Sequence, residues 1–293
     1  MAHGPDTEEL LRRVANATTE LRVSGLNITS LPALPPGLRH LYCHATLIRS
    51  LPELPPGLQE LWCSHTPLTT LPALPAGLLW LYCHVTQITS LPNLPAGLQR
   101  LYCSETQLTS LPALPAGLQR LHCYRTQITS LPALPAGLQV ISCTDTNLTS
   151  LPKLPSNLRT LNCCKTQLVS LPELPAGLQE VWCYDTPLSS LPDLPAGLEW
   201  LYCNSTQITS LPELPPGLRI LECGNTPLLL QRKEGESIKD YNLRWDEWRS
   251  KKRILERTKV LAEDIIAATW HPDRFERWCL DEEEKKENDG MME

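Results

Sequence analysis

The chain has 293 residues and a formal net charge of −6, from 26 Lys+Arg against 32 Asp+Glu. No global basic field therefore favours nucleic acid or an anionic membrane surface as a partner. The apolar share is ordinary at 42%, yet there is one Phe and there are 28 Pro, and no stretch of about 18 apolar residues is present to span a bilayer as a helix.

The opening, MAHGPDTEELLRR, lacks the apolar run of a secretory signal. The chain accordingly reads as intracellular, acting in the cytoplasm. Residues 1–20 are expected to form a short helix capped by Asp6, with Glu9 three residues on and Leu10, Leu11 and Val14 as its apolar face. Such a helix would cap the apolar end of a repeat array.

Residues 21–230 are copies of one 20-residue unit with no insertion or deletion. Read from Leu98 it is L-x-x-L-x-C-x-x-T-x-L-T-S-L-P-x-L-P-A-G. Leu21 to Ser30 is a degenerate first rung, and ten regular rungs come after it, with strands centred on positions 41 to 221 in steps of 20. Within each strand alternate residues face opposite sides. Leu101 and Cys103 point inward, whereas Arg100, Tyr102 and Ser104 face outward. Ten prolines at 32 to 212 and ten at 35 to 215 fix φ and remove donors, so the return path is extended or polyproline-like. Gly at 37 and every 20 residues to 217, with Asn157 the exception, is expected at a turn of positive φ.

The unit resembles the leucine-rich repeat, and its L-P-x-L-P return is similar to the short repeats of bacterial secreted effectors and of giant DNA viruses of amoebae (marseillevirus-like). The resemblance implies an α/β-class leucine-rich-repeat solenoid: a right-handed horseshoe with a parallel β-sheet on the concave face and helical terminal caps. Cys replaces the third leucine of the strand, and Thr stands where the family has Asn. In the family that Asn bonds the backbone of adjacent rungs, and the Thr hydroxyl is expected to do part of the same work.

Ten Cys, from Cys43 to Cys223, make one inward column. They read as free thiols serving as small buried hydrophobes, because their side chains run parallel and no C-x-x-C or partner His supplies a metal site. No cofactor is implied. Cys164, beside Cys163, is expected to face outward and to be the reactive thiol of the array.

Every aromatic residue between 21 and 230 lies in three outward columns. Aromatics suit β-strands and stabilise one another across rungs. That leaves unexplained why they avoid the loop columns and thin out in the middle. Exposed Tyr and Trp with interspersed Arg and His typify interface centres. The candidate partner-binding residues are Tyr42, Trp62, Trp80, Tyr82, Arg100, Tyr102, Arg120, His122 and Tyr124, then Trp182, Tyr184, Trp200 and Tyr202.

Charge rises sharply after residue 230: 14 Lys+Arg and 17 Asp+Glu lie in residues 231–293, against 10 and 11 in residues 21–230. Residues 231–293 read as a C-terminal helical region with a charged, disordered end. Ile238, Tyr241, Trp245 and Trp248 share one helix face. Trp270 to Asp281 resembles a C-terminal segment of giant-virus repeat proteins. Cys279-Leu280-Asp281 resembles the Cys-x-Asp of secreted bacterial ubiquitin ligases, whose catalytic domain is far longer. The reading is a non-enzymatic scaffold that binds a host or viral protein through its aromatic face. A ubiquitin-ligase-like effector using Cys279 and a glycan-binding module are the alternatives.

Overall fold

The computed structural model describes residues 5–212 and 214–227. The readings made for residues 231–293, including the apolar helix faces and Cys279, lie outside the described residues. Helix α1 spans Pro5–Asn16. Eleven three-residue strands come next: β1 Glu20–Arg22, β2 His40–Tyr42, β3 Glu60–Trp62, β4 Trp80–Tyr82, β5 Arg100–Tyr102, β6 Arg120–His122, β7 Val140–Ser142, β8 Thr160–Asn162, β9 Glu180–Trp182, β10 Trp200–Tyr202 and β11 Ile220–Glu222. They form a single parallel sheet in sequence order. Each residue pairs with the one 20 positions on, as in Leu81 with Leu101. An uninterrupted 20-residue period thus becomes an in-register ladder.

The core is a set of stacked columns. Leu98, Leu101, Cys103 and Leu108 are fully buried in their rung, and their equivalents are buried in the rungs on either side. Return segments carry no helix among the described residues. The turn closing each return runs from a proline carbonyl to the amide three residues on, as in Leu118 N–H to Pro115 C=O at 3.1 Å.

That turn corrects the expectation for the glycine column. Gly25 is the one Gly with positive φ among the described residues. Gly117 is needed for space instead: an added Cβ would sit 3.1 Å from the carbonyl oxygen of Ala96 in the previous rung. Asn157, the exception, donates its Nδ2–H to the equivalent carbonyl of Ala136 at 3.0 Å. The left-handed conformation falls elsewhere, on the residue before each Thr. Ala45, His65, Val85 and their seven successors hold φ between 50° and 55°.

The threonine column also departs from expectation. Each Thr hydroxyl donates to the Cys carbonyl three residues earlier in its own rung, as Thr126 does to Cys123 C=O at 2.7 Å. The same bond recurs from Thr46 to Thr226. Thr is short, so its oxygen returns to its own strand end and not to the neighbour. At this strand exit the bond to the next rung comes from the left-handed residue's amide, as in Arg125 N–H to Thr144 C=O at 2.9 Å.

Helix α1 differs in detail as well. Asp6 accepts from the Asn27 amide at 2.9 Å, and Glu9 binds Arg12 and Arg13, so neither serves as a helix cap. Leu10 is buried against the first rung, whereas Leu11 is exposed.

Replacing Thr126 with Val, which keeps the shape but strands a buried carbonyl, should lower stability by about 1–3 kcal/mol in urea unfolding. An unchanged midpoint would mean that the hydroxyl bond is dispensable.

Candidate protein-binding face

The outward side chains of β2 to β11 fall into two strand columns, with a third just beyond the strands. The middle column is a ladder of rings. Trp62 stacks on Tyr82 with centroids 4.0 Å apart, Tyr82 on Tyr102 at 4.5 Å, and Tyr102 on His122 at 4.4 Å. Tyr42 extends it, tilted against Trp62 at 5.6 Å. Strand spacing near 4.8 Å brings identical positions to stacking distance, so parallel rings result from the register.

That packing corrects one part of the sequence reading. Trp62, Tyr82, Tyr102 and His122 are buried by one another, not exposed. In the third column Ser64, His84 and Ser104 are buried too, although Ser104 was expected outside. Half-buried and accessible are Tyr42, Trp80, Arg100, Arg120, Tyr124, Trp182, Tyr184, Trp200 and Tyr202. The accessible surface of the first cluster therefore belongs mainly to the first column.

Polar groups fix this face. Glu60 accepts from Tyr42 Oη–H at 3.2 Å and Trp62 Nε1–H at 3.3 Å, and its other oxygen lies 3.4 Å from His40 Nδ1. The Arg100 guanidinium lies over the Trp80 ring at 4.3 Å, and that of Arg22 over Tyr42 at 4.7 Å. The second cluster repeats the motif on β9 and β10. Trp182 stacks on Tyr202 at 4.1 Å and donates Nε1–H to Glu180 at 3.4 Å. Between the clusters the middle column turns polar, with Thr144 donating to Asn162 Oδ1 at 2.5 Å.

The thiols of the array are poorly placed for chemistry. Burial pushes Cys43, Cys83, Cys143 and Cys203 up to about 12 and raises Cys63, Cys103, Cys123, Cys163 and Cys183 as well. None of them forms a disulfide among the described residues. Cys164, expected outside and reactive, is fully buried, and burial raises its thiol as well. Its position lies under Tyr184, whose side chain bonds it, rather than open to solvent. No group of three or more His, Cys, Asp or Glu among the described residues is arranged to hold a metal ion.

No family model matches the sequence, and no curated protein matches it. Solved structures do. YopM from Yersinia enterocolitica is 34% identical with a TM-score of 0.60, over 69% of this chain and 50% of that one. YopM from Yersinia pestis, a leucine-rich effector protein, is 28% identical with a TM-score of 0.56, over 77% and 78%. The functional domain of InlJ from Listeria monocytogenes, which includes a cysteine ladder, is 26% identical with a TM-score of 0.62, over 72% and 54%. This chain is a leucine-rich-repeat solenoid. It spans about half the length of the first and third of these proteins. The InlJ domain carries a ladder of cysteines, and this chain has a column of them from Cys43 to Cys223.

Two predictions test the buried groups. A thiol reagent applied to the native chain should leave the ten column cysteines and Cys164 unmodified, as read by mass spectrometry, and label them only in denaturant. Burial also lowers His84 to about 3 and His122 to about 4. Unfolded imidazoles titrate near 6.5, so below that pH the unfolded chain takes up protons that the folded chain refuses. Stability should fall as pH drops from 6.5 towards 4, by on the order of 2 kcal/mol per imidazole at pH 5. His122→Phe keeps a ring in the stack and should flatten that slope.

Proposed function

We propose that the protein is a non-enzymatic scaffold that recognises a protein partner through the aromatic sheet face. The observation that carries this reading is the first column, where Trp80 and Arg100 stand half-exposed on a ladder of rings locked by stacking. Side chains already held in place lose little entropy on binding, which is where much of the cost of an interface lies. Trp, Tyr and Arg are also the residues that dominate binding energy where they are central and well packed. Unpaired thiols suit a reducing compartment, so we read the protein as acting in the cytoplasm.

The stacked middle column gives less support to a glycan site. Sugars stack on open ring faces, and the faces of Trp62, Tyr82 and Tyr102 are covered by their neighbours. The thiols of the array are buried and hard to ionise, which favours binding over nucleophilic chemistry there.

The accessible residues are the ones to alter. Trp80→Ala with Arg120→Ala should reduce capture of a partner from host-cell lysate at least about tenfold while far-ultraviolet circular dichroism stays unchanged. Altering Leu47 and Val169, exposed on the opposite loop columns, should leave capture intact. Loss in the loop variant and not in the face variant would place the working surface elsewhere.

A further inference from the structure

The middle of the sheet face is a zone of one charge sign. Across β4 to β8 the three outward columns hold no Asp or Glu, and their two permanent charges are Arg100 and Arg120. The imidazoles of the same zone, His84 and His122, are held neutral by burial. In the first column the nearest carboxylates are Glu60 and Glu180, each three strands from Arg120. At strand spacing that is about 14 Å, beyond the screening length of about 8 Å in physiological salt.

Arg100 and Arg120 stand in register on neighbouring strands. Like charges at paired positions cost stability. Packing does not require them, since Val140, Thr160 and Ile220 hold the same place in other rungs. Arg100 lays its guanidinium over the Trp80 ring. Arg120 has Val140 on its other side. No salt bridge or side-chain hydrogen bond joins it to a described residue. It is half-buried all the same. The exposed Arg125, by contrast, lies beside Glu105 and Asp145. The next outward residue of the Arg120 strand is His122, which burial, and then the Arg120 charge, keep neutral. A guanidinium partly withdrawn from water, with a like charge beside it and no carboxylate in its zone, presents a planar fork that a carboxylate fits through two hydrogen bonds.

We infer that Arg120 is the subsite for an Asp or Glu side chain of the protein partner, gripped by the guanidinium fork between Arg100 and Val140. This rests on the reading of the sheet face as a protein-binding surface and specifies the charge of the segment that crosses its middle. The incoming carboxylate also relieves the repulsion between the two arginines. On a chain of net charge −6, this local reversal of sign fixes where an acidic segment can land.

The test follows the arginine Nε–H and backbone amide signals of the isotope-labelled full chain by NMR, with Arg120 and Arg125 assigned from Arg120→Gln and Arg125→Gln. The probes are N-acetyl-Gly-Glu-Gly amide and its Gln and phosphoserine counterparts at matched ionic strength. The Arg120 signal should shift saturably with the Glu probe and not with the Gln probe. The Arg125 signal, whose guanidinium is already paired, should respond at least about tenfold more weakly. Arg120→Lys keeps the charge and loses the fork, so the β6 amides should then respond about tenfold more weakly, with the other arginine signals in place as evidence of an intact fold. An Arg120 signal that ignores the Glu probe, answers Gln equally or responds no better than Arg125 overturns the subsite. A phosphoserine probe that binds more than about tenfold tighter than the Glu probe overturns the assignment to a carboxylate. Partner capture that is lost in Trp80→Ala/Arg120→Ala but kept in Arg120→Gln overturns the subsite too, while the broader reading of the face stands. Capture kept in both variants removes that reading with it.

Discussion

Among the hydrogen bonds that tie each rung to the next, one recurs at the same position from the first rung to the last. The amide of the Cys-column residue donates to the carbonyl of the middle-column residue one rung on, as in Cys123 N–H to Ser142 C=O at 2.8 Å. Because the bond recurs every 20 residues, any position in the unit becomes a straight file of side chains at strand spacing. Leucines make an apolar file, cysteines a narrow one, and aromatics a stack. A single inserted residue would throw every file out of line beyond it. The length of the unit is therefore under tighter constraint than most of its side chains.

The ends of the strands need separate satisfaction, since three residues of ladder leave polar groups at each exit. The Thr hydroxyl holds the Cys carbonyl, and the left-handed residue before it turns its amide towards the next rung. Ala, His, Val, Glu, Arg, Asp, Lys, Ser and Asn all accept that conformation at one rung or another. For Val85 it is the least comfortable, because a β-branched side chain crowds the backbone at positive φ. Cooperative bonding on both sides of the position outweighs the local preference of the residue that occupies it.

Much of this was legible in the sequence. Ten regular strands centred at 41 to 221, the buried leucine and cysteine files and the helix-free return all derive from period, alternation and proline placement. The features that were not legible depend on short distances between files. Gly117 reads as a positive-φ glycine, but its role comes from an Ala96 carbonyl one rung away. Trp62 and Tyr102 alternate outward as expected and are nonetheless buried, because rings 4.0 to 5.6 Å away on the neighbouring rungs cover both of their faces. Cys164 fails for the same reason, lying under the larger Tyr184 in its own file. Facing can be read from alternation; exposure depends on the size of the neighbours.

The recurrence of Glu-x-Trp gives the array a length scale. Residues 60 and 180 lie six strands apart, which at about 4.8 Å per strand is roughly 29 Å along the ladder. Two like elements held at a set separation act as a gauge: a ligand with two matching groups engages both only if its own spacing agrees, and then gains the effective concentration of a tethered second contact. Duplication or deletion of one 20-residue unit between them would change that gauge by a single strand spacing while leaving both ends chemically unaltered. Repeat number, which in a compact domain would be a matter of stability, becomes here a setting of distance.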